Sequence, residues 1–544
     1  MPHDIPRRTT LVTYSPEALT RLQDRESPLP LRITENRGDI RWMVGLGAAI
    51  LALLLLNPGG YIGGGQDDWR YIEAVRCWRE HGPCLPHDHW QTRWPLLAPT
   101  AALTSILGES RLTVSLAPLL ASVAAVFLLA AVGNKLFGRP VGWLGALAFT
   151  AIPAFSFQFT DLTVESTELS LVFGGFLAAL YWETEGRAMF AFAAGLLFSL
   201  AFQTRETSIV AALFAGAWIL LRRSRAPSHF LAYASLGFSL PLLVEFLTFA
   251  ISAGDPFWRR RLAMHHVLIP SSELLGPVDP QHAPFFNLAY IDHWRRISGI
   301  HVHWSLDWLV NLMFNGTAGL SLVMVPLILL SGRKSIDKGS KHAATALWLA
   351  GLVYAGALAL VFALDPKPRV MLVPLAMTSL AFGLLTSRLK QEGRATLLSA
   401  IWAAVLLLWL PLHVGHRRTD IVESHAREWI SLNPREIEID DNSRRHLALL
   451  PEAQALPPVG SGHRYWIYMS LHGCAELLGS KGLPGRSLEK IDFVSVYAIE
   501  LRRIESRTSL CLLRWNQPIS RPAIIEAIRR SRTDGPYITG YGGA

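Results

Sequence analysis

Two adjacent carboxylates, Asp67 and Asp68, follow a glycine-rich exit in the stretch GGGQDDWRYIEAVRCW. A carboxylate can take the proton of an attacking hydroxyl as a general base; it can also cap the first turn of a helix, where the macrodipole favours negative charge. Capping needs one acid, and glycines ahead of a helix let the backbone turn tightly and a substrate approach, so at least one of the pair is read as functional. FTDLTVESTELSLVF places Asp161, Glu165 and Glu168 at i, i+4 and i+7, a stripe of acids suited to a polar cavity or to cationic partners. Arg205, Lys367, Arg369 and Arg93 are candidates for holding a phosphate. Each also has a plainer role: Arg205 can pair with Glu206 across a turn, and the other three can sit at lipid headgroups or anchor a helix. His87 and His89 flank Asp88, and imidazole with carboxylate suits a divalent metal such as zinc, manganese or magnesium; solvated loop residues are the alternative. His265 and His266 are further candidate ligands.

The elements that would carry these residues are membrane helices. Of 544 residues, 51% are hydrophobic and 17% charged, whereas soluble domains carry about 25% charged residues. Apolar runs long enough to cross a ~30 Å hydrocarbon core recur through the first three quarters of the chain. The pattern predicts about eleven spans, at 42–57, 113–133, 141–157, 167–182, 188–203, 208–221, 229–252, 306–330, 343–364, 370–387 and 396–413. The net charge of +9 comes from basic residues scattered between apolar runs, which orient spans rather than bind nucleic acid. With a cytoplasmic N-terminus the inner short loops hold thirteen Lys and Arg and the outer ones three, which selects that orientation.

Residues 1–40 are polar and lack the apolar core of a cleavable signal, so they read as a cytoplasmic tail. A transmembrane domain follows at 41–415, with external loops at 58–110 and 254–304. The last segment, 416–544, alternates helical and extended patterns and predicts a small external α/β or α+β domain, ending in a helix over SRPAIIEAIRRSR. All four cysteines fall in outer segments, Cys77 and Cys84 in the first loop and Cys474 and Cys511 in the tail, which permits one disulfide in each or buried thiols. Trp69, Ile72, Val75 and Trp78 recur at helical spacing, so DDWRYIEAVRCW predicts an amphipathic helix lying in the membrane interface. No phosphate loop, zinc spacing or G-x-S-x-G elbow occurs.

The outer-loop motifs resemble those of the GT-C membrane glycosyltransferases, a superfamily including protein O-mannosyltransferases and aminoarabinose transferases. DDWRYIEAVRCW resembles the family's first external loop and RWPLLAPTAALTSILGES its proline-bearing segment before span two. VESTELSLVFGGFLAALYW, FAAGLLFSLAFQTRETSIVA and PRVMLVPLAM resemble later helices, so the likeness runs over 42–413. It implies an all-α polytopic fold in the bacterial inner membrane and a hexosyl or pentosyl donor carried on polyprenyl phosphate. The sugar would pass with inversion to a glycan, lipid A or protein acceptor on the periplasmic face. Asp67 or Asp68 would serve as base, Asp161 or Glu165 as secondary acid, and Arg205, Lys367, Arg369 and Arg93 as partners of the leaving phosphate. The pair here is Asp-Asp where many members have Asp-Glu. A transporter or flippase of a lipid-linked glycan is the rival from another class. Such proteins usually show repeated halves with broken helices near the midplane, and no comparable halves occur here.

Overall fold

The computed structural model describes residues 37–56, 68–152, 155, 159–221, 227–264, 295–297, 300–302, 308–309, 316–331, 336–362, 369–391, 419–432, 435–470, 485–499 and 502–516. Asp67, Lys367, His265, His266 and Cys474 lie outside them, as do the expected span at 396–413 and the expected terminal helix. The chain divides into a first unit, Met1–Gly45, and a second, Leu46–Ala544, which carries everything below.

The helices are α1 (Arg37–Leu56), α2 (Asp68–His81), α3 (Trp94–Leu107), α4 (Arg111–Phe137), α5 (Arg139–Thr150), α6 (Val164–Glu185), α7 (Ala188–Thr204), α8 (Ile209–Leu221) and α9 (Pro227–Ala253). They continue with α10 (Trp258–Met264), α11 (Gly316–Ser331), α12 (Lys338–Gly356), α13 (Leu372–Gln391), α14 (Thr419–Leu432), α15 (Asp441–His446) and α16 (Pro451–Gln454). Each expected span up to 370–387 coincides with one of these helices. The third is shorter than its apolar run, since α5 stops at Thr150, just ahead of Pro153. Among the described residues, four helices are long and apolar enough to cross a membrane: α4, α9, α12 with its π-helical extension to Val361, and α13. The protein is a membrane protein. The first external loop is not all polar loop: it contains the apolar helix α3, entered through Pro95 and ended at Gly108, whose φ of +79° few other residues adopt.

Lipid supplies no hydrophobic drive between helices, so contact depends on close backbone approach at small residues. A Cβ on Gly195 of α7 would lie 1.8 Å from the Ala234 carbonyl oxygen of α9, and one on Gly237 would lie 2.1 Å from that of Phe192. Gly142 of α5 likewise meets the Ala130 backbone of α4, and Gly383 of α13 meets Gly145. The outer side of α9 exposes Leu236, Leu240, Leu243, Leu247 and Ile251, as a lipid-facing helix should.

Two short strands, β1 (Arg295–Ile297) and β2 (Ile300–Val302), form an antiparallel pair between α10 and α11 in the sequence. The tail forms a sheet of β3 (Ile437–Ile439), β4 (Tyr465–Ser470), β5 (Gly485–Ile499) and β6 (Arg502–Trp515) in the order β3-β4-β6-β5. Only β3 and β4 run parallel. α14 and the α15–α16 segment cover it through Trp429, Ile430, Leu447, Leu450 and Ala453, packed on Ile437, Ile439 and Ile467.

Inside this tail, β3 turns Glu438 and Asp440 to one side, as a two-residue repeat requires, and both are buried. Glu438 accepts from the Trp515 indole at 2.9 Å and from the amides of Gly460 and Ser461. Asp440 caps α15 by accepting from the Ser443 amide at 3.0 Å, and it accepts from the Trp466 indole at 3.2 Å. Burial pushes the Asp440 carboxyl up from 3.8 to about 6, against the lowering effect of its hydrogen bonds. The native fold thus binds this proton more tightly than the unfolded chain, so the group's stabilising effect is complete below pH 3.8 and is lost as pH rises through 6. That loss amounts to ~3 kcal/mol. Thermal melting of the tail, followed by near-UV circular dichroism of its tryptophans, should weaken between pH 4 and 7, and Asp440→Asn should flatten the slope. An unchanged slope in that variant would assign the effect elsewhere.

Candidate active site

Asp68 opens α2 and is 6% exposed. Helix α2 ends at Gly82, whose φ of +77° and amide bond to the Trp78 carbonyl, 3.0 Å, stop the last turn. A disulfide between Cys77 and Cys84 fastens that end to the loop beyond. Cys511 is also disulfide-bonded. The apolar face of α2 does not lie open in the membrane interface. Tyr71, Ile72, Ala74 and Val75 are buried against Leu96 and Leu97 of α3, Leu162 and Val164, and Ala448 of the tail; Trp69 and Trp78 are partly buried beside them. The same helical spacing serves a lipid surface or a protein surface, and here α3 and the tail provide the cover. The helix bearing Asp68 and the segment bearing Asp161 and Glu165 therefore share one core.

That second segment differs from the expected stripe. α6 begins at Val164, so Asp161 precedes it in a bend where the Thr163 amide bonds to the Asp161 carbonyl at 2.7 Å. Only Glu165 and Glu168 share the helical face, and all three acids are buried. Ser122 of α4 holds the entry to the helix by donating to the Phe159 carbonyl at 3.0 Å and contacting Ser166 Oγ at 2.6 Å.

Arg205 and Glu206 do not pair with each other. Arg205 is extended (φ −155°, ψ 121°), and neighbouring side chains on extended backbone point apart. Arg205 turns to α6: its Nη1 lies 3.5 Å from Glu168 Oε2 and 3.8 Å from Glu165 Oε1, while Ser208 donates to Glu168 at 2.7 Å. Arg369 arrives from the start of α13, its Nε 4.0 Å from the same Glu165 oxygen. Buried Glu165 and half-buried Arg205 and Arg369, from three distant parts of the chain, thus meet in one cluster. The distances to Glu165 exceed those of hydrogen bonds, so its pull on the two guanidiniums is electrostatic, while Arg205 is held by Glu168.

Glu206 turns the other way, to Arg259 of α10, a residue that sequence reasoning missed. The Arg259 guanidinium reaches Glu206 Oε1 at 2.8 and 2.9 Å, Glu245 of α9 at 3.3 Å, and the carbonyls of Gln203 and Thr92 at 2.7 and 3.2 Å. Gln203 donates to Glu245 at 3.0 Å and to the Pro241 carbonyl at 3.1 Å. One cation thereby ties the turn after α7, the middle of α9, and the loop before α3. The available signal was Glu245, a single carboxylate in an apolar span, which calls for a buried partner. Arg93 donates to the Tyr71 hydroxyl, linking α2 to the same loop.

His87, Asp88 and His89 do not converge. Asp88 pairs with Arg70 at 2.8 Å and accepts from the Gln91 amide at 3.0 Å; His87 is exposed, and the His89 ring lies 3.7 Å from that of Trp90. Arg70 is itself packed over Trp90 at 3.8 Å and Trp69 at 5.0 Å. The tail closes on α2 from outside: Arg445 lies over Trp69 at 4.2 Å, and Arg76 donates to the Ala448 carbonyl at 2.6 Å and to Glu109.

No protein-family model matches the sequence. No curated protein matches it either. The solved structures that it resembles include those of two proteins. ArnT from Cupriavidus metallidurans in the apo state shares 12% identity over 87% of this chain and 98% of its own, at a TM-score of 0.44. The same protein bound to undecaprenyl phosphate shares 14% over 86% and 98%, at 0.35. The Archaeoglobus fulgidus oligosaccharyltransferase in the apo form shares 13% over 77% of this chain and 65% of its own, at 0.41. None of them lends this chain a donor, an acceptor or a residue role.

Proposed function

We propose that the chain transfers a sugar from a polyprenyl-phosphate donor to an acceptor hydroxyl, on the periplasmic side of the bacterial inner membrane, with inversion at the anomeric carbon. The observation that carries this reading is the cluster of buried Glu165 with half-buried Arg205 and Arg369. The helix that carries Asp68 packs against Leu162 and Val164 of the same acidic segment. Two guanidiniums from separate elements, brought beside Glu165 and Glu168, suit a lipid-linked phosphate, whose oxygens a planar guanidinium can bind in bidentate fashion. They would neutralise the charge that builds on the departing phosphate. Asp68, or Asp67 beside it, takes the proton from the attacking hydroxyl as the new bond forms. The acceptor is a glycan, lipid A or a protein, and the N-terminus is cytoplasmic with the tail periplasmic.

The test is transfer from a synthetic polyprenyl-phosphate sugar by the purified protein. Arg205→Ala and Arg369→Ala should each lower turnover by about 10²-fold or more, and the loss should shrink for Lys at either position. Unchanged turnover in both alanine variants would overturn the phosphate assignment. A divalent ion held by His87 and His89 would be stripped by EDTA, so transfer that survives chelation removes a metal from the reaction.

A further inference from the structure

A cleft of about 210 Å³ opens on α2 beyond Asp68, between that helix and the loop that follows it. Glu73 and Trp78 line the helix side, His87 and Gln91 the loop side, and the Cys77–Cys84 disulfide crosses between the two walls. The loop is held rigidly. Asp88 is fixed by Arg70, the Pro86 carbonyl accepts from the Trp258 indole at 3.0 Å, and Gln91 Oε1 accepts from the His87 amide at 2.9 Å.

That last bond settles which way the Gln91 amide points: its oxygen is occupied, and its NH₂ remains as a pair of donors. Among the described residues the Glu73 carboxylate, the Gln91 NH₂ and the His87 ring make no hydrogen bond or ion pair with the protein. The cleft thus offers an anionic acceptor, a neutral donor pair, an imidazole able to do either, and an indole with an apolar face. Lys and Arg are absent from its lining, and Glu73 would repel a phosphate. The chemistry that fits is a neutral sugar ring. Its hydroxyls both donate and accept, and its C–H face packs on an indole.

Location relates the cleft to the reaction. At a rise of about 1.5 Å per residue, Glu73 and Trp78 stand roughly 8 and 15 Å along the helix from Asp68. At about 100° per residue the two side chains also point about 140° and 80° away from Asp68, so a glycan chain that reaches from the cleft to the carboxylate must wrap around α2 rather than lie along one face of it.

We propose that this cleft is an acceptor subsite for a neutral saccharide unit, which makes the acceptor a glycan chain rather than a bare lipid or a peptide. The acceptor role rests on Asp68 being the base, whereas saccharide binding in the cleft stands by itself. The experiment uses the full chain in lipid nanodiscs, free of sugar-headed detergent, with neutral trisaccharides of glucose, mannose and N-acetylglucosamine as probes. Binding is read by tryptophan fluorescence and saturation-transfer NMR. At least one probe should bind at millimolar concentration. Trp78→Ala, Gln91→Ala and Glu73→Gln should each weaken it about tenfold, with melting temperatures unchanged in the Gln91 and Glu73 variants, and Trp78→Phe, which keeps an aromatic ring against the core, should restore most of the loss in binding. The proposal is overturned if none of the three binds, or if binding is undiminished in Trp78→Ala.

Asp68→Asn separates the two readings. If it abolishes transfer while no trisaccharide binds, the catalytic reading stands and the cleft fails. If transfer persists in both Asp67→Asn and Asp68→Asn while the trisaccharide is still lost in Trp78→Ala, the cleft is a saccharide site but the general-base reading fails.

Discussion

Asp68→Asn should reduce sugar transfer by about 10²- to 10⁴-fold while leaving the protein folded. Asparagine keeps the size and polarity of the side chain at the start of α2. It cannot take up the proton that the acceptor hydroxyl must lose. The carboxylate is buried at a helix N-terminus, where the macrodipole steadies the charged form that a base requires. Asp67→Asn belongs in the same experiment: the variant with the larger fall in kcat identifies the base, and its neighbour should act mainly on KM. If both single variants turn over donor at the parental rate, neither aspartate is the base.

Arg259→Met should cost roughly 3–5 kcal/mol of stability, because it strands the buried Glu245 and the half-buried Glu206. Glu206 and Glu245 both lean on this guanidinium, and the carbonyls of Gln203 and Thr92 use its remaining donors. Methionine matches the stem but returns none of these bonds. Lysine should rescue only part of the loss, since a single ammonium cannot address four partners fixed in different directions. Adding Glu206→Gln and Glu245→Gln to Arg259→Met should recover much of the melting temperature by removing the uncompensated charge. A single variant that melts like the parent would show that the network contributes no net stability, and the coupling between α7, α9 and the first loop would have to lie elsewhere.

The cluster and the clamp mark the limit of one-dimensional reading. Glu165, Arg205 and Arg369 were each legible as polar residues near the ends of apolar runs, because an ion at membrane depth is conspicuous. That they gather on one face was legible from the order of the spans; which of them meet was not, since that depends on how α6, the turn after α7 and the start of α13 cross. The adjacent Arg205 and Glu206 invited a local pairing, and the extended backbone between them sends each to a different partner. Arg259 was hidden in the run WRRRL, which looks like a basic headgroup anchor until Glu245 and Glu206 are brought beside it. Asp161 kept its burial and lost its place on the stripe, because helix spacing was counted from a residue that precedes the helix.

By itself, the sequence determined that the chain is built of apolar helices, where most of them begin and end, and which polar residues stand at their ends. Those are local matters, set by the length of apolar runs, by proline and glycine, and by capping side chains. Tertiary structure alone decided that the apolar face of α2 packs on α3 and the tail instead of lipid, and that two arginines share Glu165. It also opened a polar cleft a few turns along the helix from Asp68. An apolar stripe specifies only that something apolar must cover it, and a charge only that it needs compensation. Which surface and which partner satisfy those demands is fixed by the close approach of helices at Gly195, Gly237, Gly142 and Gly383, a property of pairs of segments that neither segment carries alone.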